Sequence, residues 1–220
     1  MINFNYKKYS TIELFETIES NGVTEIISSC TAVLISQNLL LSVAHNVGYF
    51  SHAKFIDSDS KEILIELKDY KTLTQELDEH FDLCLIKLPT LAPLNYRPIQ
   101  ILDENYEISN GAILQAAGYG IDGDDQEGKS QLRTFELPFH DLWSNHLRGK
   151  HTNNQRCSVG DSGGPAYLSV NESLYLAGVT TGTDENKEFS YFIRPNLFKN
   201  WIVSIALEFE AMLPIFVNPS

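Results

Sequence analysis

Short apolar runs separated by turn residues dominate this chain. Residues 25–35 and 39–43 are two of them, the first rich in β-branched side chains, and Ser36-Gln37-Asn38 makes the turn between. Residues 63–67 alternate apolar and polar, residues 82–88 read as a buried run, and residues 112–117 precede a break at Gly118-Tyr119-Gly120. Residues 132–137, 166–170, 174–179 and 189–193 continue the series. Many short strands with turn signals between them predict an all-β sandwich or barrel. Residues 11–20, Thr-Ile-Glu-Leu-Phe-Glu-Thr-Ile-Glu-Ser, fit either a short helix or an alternating edge strand.

The period changes near the C-terminus. Pro195 and Asn196 stand where a helix can start, and Phe198, Trp201, Ile202, Ile205 and Phe209 recur at three- and four-residue spacing. That spacing predicts an amphipathic helix over residues 196–209 that docks one apolar face. Residues 89–105 carry Pro89, Pro93 and Pro98 and read as a long connection. It divides the strands into two groups of similar size. The expected architecture is therefore two packed β-barrels within one unit, over residues 22–95 and 106–195, followed by the helix.

Composition narrows the function classes. With 220 residues the chain can bury a core without metals or disulfide staples. Hydrophobic residues at 43% and charged residues at 20% are ordinary for a globular protein and argue against general disorder. A net charge of -13 argues against nucleic acid and anionic lipid as partners, since both need clustered Lys and Arg. The start Met1-Ile2-Asn3-Phe4-Asn5-Tyr6-Lys7-Lys8 lacks an apolar stretch behind a basic end, so it does not read as a secretory signal. Either a leader is absent from this numbering or export uses another route, and the compartment stays open. Cys30, Cys84 and Cys157 are odd in number and form no C-x-x-C pair, which predicts buried free thiols and no zinc site.

The chemistry concentrates at Gly160-Asp161-Ser162-Gly163-Gly164-Pro165. At average residue usage, such a hexapeptide arises by chance in a chain of this length with odds on the order of one in a hundred thousand. A serine hydroxyl is a weak nucleophile until a neighbouring base takes its proton, and it needs donors aimed at the developing oxyanion. Glycines beside the serine let the backbone turn sharply and bring its N–H groups close to a substrate carbonyl. The bland reading is a glycine-rich turn with a helix-capping serine.

Ser42-Val43-Ala44-His45-Asn46 supplies a base, with His45 at the end of an apolar strand. A lone histidine in that setting is more often structural; its weight comes from company. Phe81-Asp82-Leu83-Cys84-Leu85-Ile86-Lys87-Leu88 puts a carboxylate at the opening of a buried strand, which is costly unless hydrogen-bonded. An imidazole N–H is a fitting partner, because the carboxylate then fixes the tautomer and stabilises the imidazolium. The chain order is His45, Asp82, Ser162. α/β-Hydrolases run Ser, Asp, His and subtilisins run Asp, His, Ser, so order and β patterning independently select one class.

On these motifs the chain resembles the chymotrypsin/trypsin family of serine proteases, from about residue 26 to residue 202. The resemblance implies two six-stranded antiparallel barrels with a C-terminal helix, and peptide-bond hydrolysis without a cofactor. It implies an oxyanion hole from the N–H groups of Gly160 and Ser162, with protein or peptide substrates. Thr180-Thr181-Gly182 looks like the segment that pairs with the substrate backbone as an added strand.

Three departures stand out. Cys30 occupies one half of a common family disulfide, but Asn46 takes the partner position and Ser158 replaces a cysteine near the nucleophile, which suits a reducing compartment. Family members often become active when cleavage frees an Ile or Val ammonium that pairs with the Asp before the nucleophile, here Asp161. Either Ile2 becomes that terminus, or another cation satisfies Asp161 without cleavage. Finally, Arg156 falls at the floor of the pocket for the side chain before the scissile bond, with Thr180 and Ser190 on its walls. A buried guanidinium there selects Asp or Glu; the alternative is that Arg156 turns aside to Asp184 or Glu185.

The competing function is a catalytically silent relative used as a binding module, which usually lacks a triad member or the glycine before the serine. An esterase elbow fits Gly160-Asp161-Ser162-Gly163-Gly164 formally, but Pro165 and the strand-like residues 166–170 block the helix it needs. His52, His80, His140, His146 and His151 show no metal-ligand spacing and read as surface or structural residues.

Overall fold

A computed structural model describes residues 9–20, 23–75, 78–121, 131–152, 155–186 and 188–219. The first sheet holds β1 (Thr11–Ser20), β2 (Val23–Ser36), β3 (Leu39–Ser42), β4 (His52–Ile56), β5 (Glu62–Glu66), β6 (Asp69–Gln75) and β7 (Asp78–Lys87), in the order β5-β4-β1-β2-β3-β7-β6. The second unit holds β8 (Ile101–Leu102), β9 (Ile113–Gly118), β10 (Arg133–Trp143), β11 (His146–Lys150), β12 (Pro165–Val170), β13 (Ser173–Thr183) and β14 (Phe189–Ile193). Pairing of β12 with both β9 and β13 closes β12-β9-β10-β11-β14-β13 into a six-stranded barrel. Helix α1 (Lys199–Glu208) follows, and β15 (Phe216–Val217) pairs with β8.

The all-β class, the barrel and the terminal helix agree with the chymotrypsin fold. The N-terminal half differs in detail from the expected six-stranded barrel. It is a seven-stranded sheet, and no pairing among the described residues joins its end strands β5 and β6. Residues 11–20 are the reason the sheet starts before residue 22: they form a long strand between β2 and β4, with Ile12 and Leu14 fully buried. β4, β6 and β11 did not stand out in the sequence, because they are short or carry polar residues on one face.

The unbroken apolar runs have a geometric cause. Side chains alternate across a strand. Ala32 and Leu34 of β2, Leu40 of β3, and Cys84 and Ile86 of β7 face the core of the first sheet. Val33, Ile35, Leu39, Leu41, Leu83 and Leu85 face the other way, into a cluster shared with Tyr167, Val179, Ile193, Ile202 and Ala206. A sheet covered on both faces needs apolar residues at every position. Each fully buried Leu, Ile or Val is worth about 1.5–3 kcal/mol against exposure, so this shared layer fixes the two units together. Tyr167 crosses it, and its hydroxyl meets Ser10 Oγ at 2.8 Å and Thr11 Oγ1 at 3.0 Å. The predicted helix docks through Ile202 and Ala206, both fully buried.

Candidate active site

β3 ends at Ser42, and the chain turns through one 3₁₀ turn, Ala44–Asn46, that carries His45. Asp82 lies on β7, next to β3; it sits within that strand rather than at its opening, because pairing with β6 extends β7 back to Asp78. His45 Nδ1 is 2.6 Å from Asp82 Oδ2, and the His45 backbone N–H donates to Asp82 Oδ1 at 3.0 Å. An ionised carboxylate only accepts, so Nδ1 carries the proton and Nε2 is left as the acceptor.

Ser162 is held against this turn by its own carbonyl. That oxygen accepts the Thr31 N–H at 3.0 Å and the Asn46 side-chain amide at 2.9 Å. The same amide donates to Ser42 Oγ at 3.1 Å. Asn46 therefore ties the turn that carries His45 to the segment that carries Ser162 through hydrogen bonds. Gly163 has φ +85, and a Cβ there would collide with the Thr31 carbonyl and the Ser42 hydroxyl. Only glycine lets these segments approach so closely. Among the described residues no hydrogen bond joins the Ser162 hydroxyl to His45; such bonds often tighten only when substrate binds.

The amides around Ser162 divide into two sets. Asp161, Gly163 and Gly164 donate to the carbonyls of Ser158, Thr180 and Asp161 at 3.0, 2.8 and 2.8 Å. The N–H groups of Gly160 and Ser162 donate to no acceptor among the described residues. Gly160 adopts φ +94, and its carbonyl accepts the Thr31 hydroxyl at 2.7 Å, which fixes the following peptide.

Asp161 is fully buried. Its Oδ1 accepts the Gly120 N–H at 2.9 Å and its Oδ2 accepts the Ser158 N–H at 2.8 Å. Arg133 Nη1 lies 3.1 Å from Oδ2 in an ion pair. Gly118 and Gly120, the break after residues 112–117, leave the space this carboxylate fills, since a Cβ on either would meet its atoms. Ile2, the alternative partner, lies outside the described residues.

Thr180 and Ser190 are buried, and Ser190 Oγ accepts the Cys157 N–H at 3.1 Å. His151, read from the sequence as a surface or structural residue, has its Nε2 2.9 Å from the same hydroxyl. Arg156 does not form the buried floor. Its side chain is exposed, and its carbonyl accepts Arg133 Nη2 at 2.9 Å. An unpaired guanidinium is costly to bury, so the side chain stays in solvent. Asp184 is engaged elsewhere, accepting the N–H groups of Glu188 and Phe189 at 2.7 and 2.9 Å. β13 loses β12 as a neighbour beyond Val179, so one edge of Thr181, Gly182 and Thr183 is unpaired on that side while β14 covers the other.

The family model for trypsin matches residues 17–202, most of the chain. The chain belongs to the trypsin family. No curated protein matches it. As a trypsin-family member it lacks disulfides among the described residues: Cys30, Cys84 and Cys157 are free and buried. Burial pushes the thiols of Cys30 and Cys157 up to about 12, with the nearby charges of Glu13 and Asp161 adding to it. Cys84 is pushed higher still, again by burial first and by Asp82 second. These thiols are packing groups, not nucleophiles.

Proposed function

We propose that the protein is a serine endopeptidase in which Ser162 attacks the scissile carbonyl, His45 is the general base and Asp82 orients it. The observation that carries this reading is the pair of contacts from His45 to Asp82, at 2.6 and 3.0 Å, on a turn whose next residue holds the Ser162 carbonyl. His45 Nε2 takes the hydroxyl proton as Ser162 forms the C–O bond, and returns it to the leaving amine as the acyl-enzyme forms. Water then repeats the sequence in reverse roles. The free N–H groups of Gly160 and Ser162 receive the oxyanion, each contributing about 3 kcal/mol to the lowered barrier. The substrate is a protein or peptide, which adds a strand along the open edge at Thr181 and Gly182.

The preference before the scissile bond is for Asp or Glu. On this reading Arg156, which is exposed and has no ion-pair partner among the described residues, offers its guanidinium to the substrate carboxylate from the surface, near the buried Thr180 and Ser190. A fluorophosphonate probe labels Ser162 in the wild type and not in Ser162→Ala, and a peptide library is cut after acidic residues. Absence of labelling would point to a silent binding module. Cleavage mainly after Lys, Arg or large aromatics would remove the acidic preference and leave the mechanism standing.

A further inference from the structure

Asp161 presents a buried carboxylate next to the nucleophile, and the register of the C-terminal barrel decides what neutralises it. β10 pairs with β9 so that Arg133 lies opposite Gly118, whose missing side chain opens the space above the Asp161 carboxylate. The Arg133 side chain is only 15% exposed. One guanidinium nitrogen reaches Asp161 Oδ2 at 3.1 Å, and another donates to the Arg156 carbonyl at 2.9 Å. Its carbon sits 5.0 Å from the centre of the Phe135 ring, which supports the flat face. The guanidinium thereby grips both ends of the segment from Arg156 to Asp161, and that segment contains the Gly160 amide.

We propose that Arg133 is a positioning residue that holds the oxyanion-binding segment in its working form, so that activity needs no cleavage-freed ammonium on Asp161. This rests on the serine endopeptidase reading. Two backbone N–H bonds offset part of the cost of burying the Asp161 carboxylate and an opposite charge offsets more, and the fork of a guanidinium can meet a carboxylate and a carbonyl together where an ammonium is a point charge. Without Arg133, Asp161 turns out toward water, and its N–H bond to the Ser158 carbonyl and the adjoining Gly160 peptide turn with it.

The two possible partners of Asp161 differ in how they respond to pH. A free terminal ammonium loses its proton near pH 8, and pairing with a carboxylate moves that loss to higher pH, whereas arginine as a residue type stays charged throughout. Cys157 is the other titratable group felt by both charges, and with its thiol pushed up to about 12 by burial and then Asp161, it stays neutral between pH 8 and 10. The backbone of Tyr119 also packs against Gly160, and burial pushes its phenol up, out of that interval. Loss of labelling between pH 8 and 10 therefore reports a terminal ammonium.

The test measures the rate at which a fluorophosphonate probe labels Ser162 in the full chain. Wild-type labelling is expected to stay level from pH 8 to 10, and a non-removable N-terminal extension leaves it unchanged. Arg133→Gln slows labelling by about a hundred-fold or more, the scale of losing one oxyanion donor, while circular dichroism stays native. Arg133→Lys keeps the charge but loses the forked second contact to the Arg156 carbonyl, so it recovers only part of the rate at pH 8. A wild-type rate that falls between pH 8 and 10, an extended chain that labels only after trimming, or Arg133→Gln labelling like the wild type would each overturn the proposal. If Arg133→Gln does not fold, the two wild-type arms decide alone. If wild type takes no label under any condition, the peptidase reading itself fails; if wild type labels and Arg133→Gln matches it, only this inference fails.

Discussion

The two halves of the molecule each bring an aspartate and a hydrogen-bonding or charged partner to the site, and the pairs are built differently. In the N-terminal half, His45 and Asp82 have side chains 46% and 17% exposed. In the C-terminal half, Arg133 and Asp161 are 15% and 0% exposed. In the proposed mechanism the first pair exchanges a proton with substrate and with water, and the exposed imidazole permits that. The second exchanges nothing. Its carboxylate is sealed, its guanidinium reaches in from the edge, and the two share one ion pair and accept or donate backbone hydrogen bonds, so they hold geometry. The contrast separates two demands on such a site: a titratable base has to stay accessible, whereas backbone donors have to be held still.

The largest expected effect breaks the first half outright. Ser162→Ala or His45→Ala lowers turnover of a cleavable peptide by on the order of a million-fold, and the double variant adds little, because the groups act as one unit. Additive losses would separate the two residues and remove the shared role. Asp82→Asn is expected to cost about ten-thousand-fold in kcat, since the amide leaves the imidazole in the wrong tautomer while KM changes little. A loss in KM instead would mean that Asp82 shapes the binding surface.

Asn46→Ala tests the joint between the halves. It removes donors to Ser42 Oγ and the Ser162 carbonyl in a buried setting, so urea unfolding should show a loss of about 1–3 kcal/mol together with slower labelling of Ser162. An unchanged rate at reduced stability would show that the Thr31 N–H alone keeps the nucleophile in place.

The smallest effect compares the thiols of the two halves. Cys30 and Cys157 have folded values raised to about 12 by burial, above the ordinary range near 8.5. A raised value contributes stability that is fully present below about pH 8.5 and is lost as pH climbs toward 12. The urea midpoint should therefore fall over that interval. Iodoacetamide at pH 8.5 should leave the native thiols unmodified and modify them in urea, as read by mass spectrometry. Native modification of Cys30 alone would show that the N-terminal half opens first.

Much of the fold was legible where one strand face or both faces are buried. The apolar runs over residues 25–35, 39–43 and 82–88 became β2, β3 and β7 because their two faces meet two different cores. β4 was invisible because it is short and mixes His52 and Lys54 with its apolar residues, and β6 because it carries exposed polar residues that look like loop. At the site, His45, Asp82 and the Ser162 segment were legible from residue type and order, since their chemistry is local to short motifs. Arg133, Asn46 and His151 were not. An arginine at the start of a strand has no distinguishing neighbours, and its partner lies 28 positions further along the chain.

By itself the sequence determined that this is an all-β protein carrying His45, Asp82 and the Gly160–Pro165 motif in trypsin-family order. Burial periodicity and backbone freedom are written locally, so a linear pattern is enough to read them. The tertiary structure decided which cation meets Asp161, that Asn46 bridges the base and the nucleophile, and that Arg156 faces solvent. Those outcomes depend on strand register and on the cost of leaving a charge unpaired in a closed core, and both exist only once distant segments are packed together.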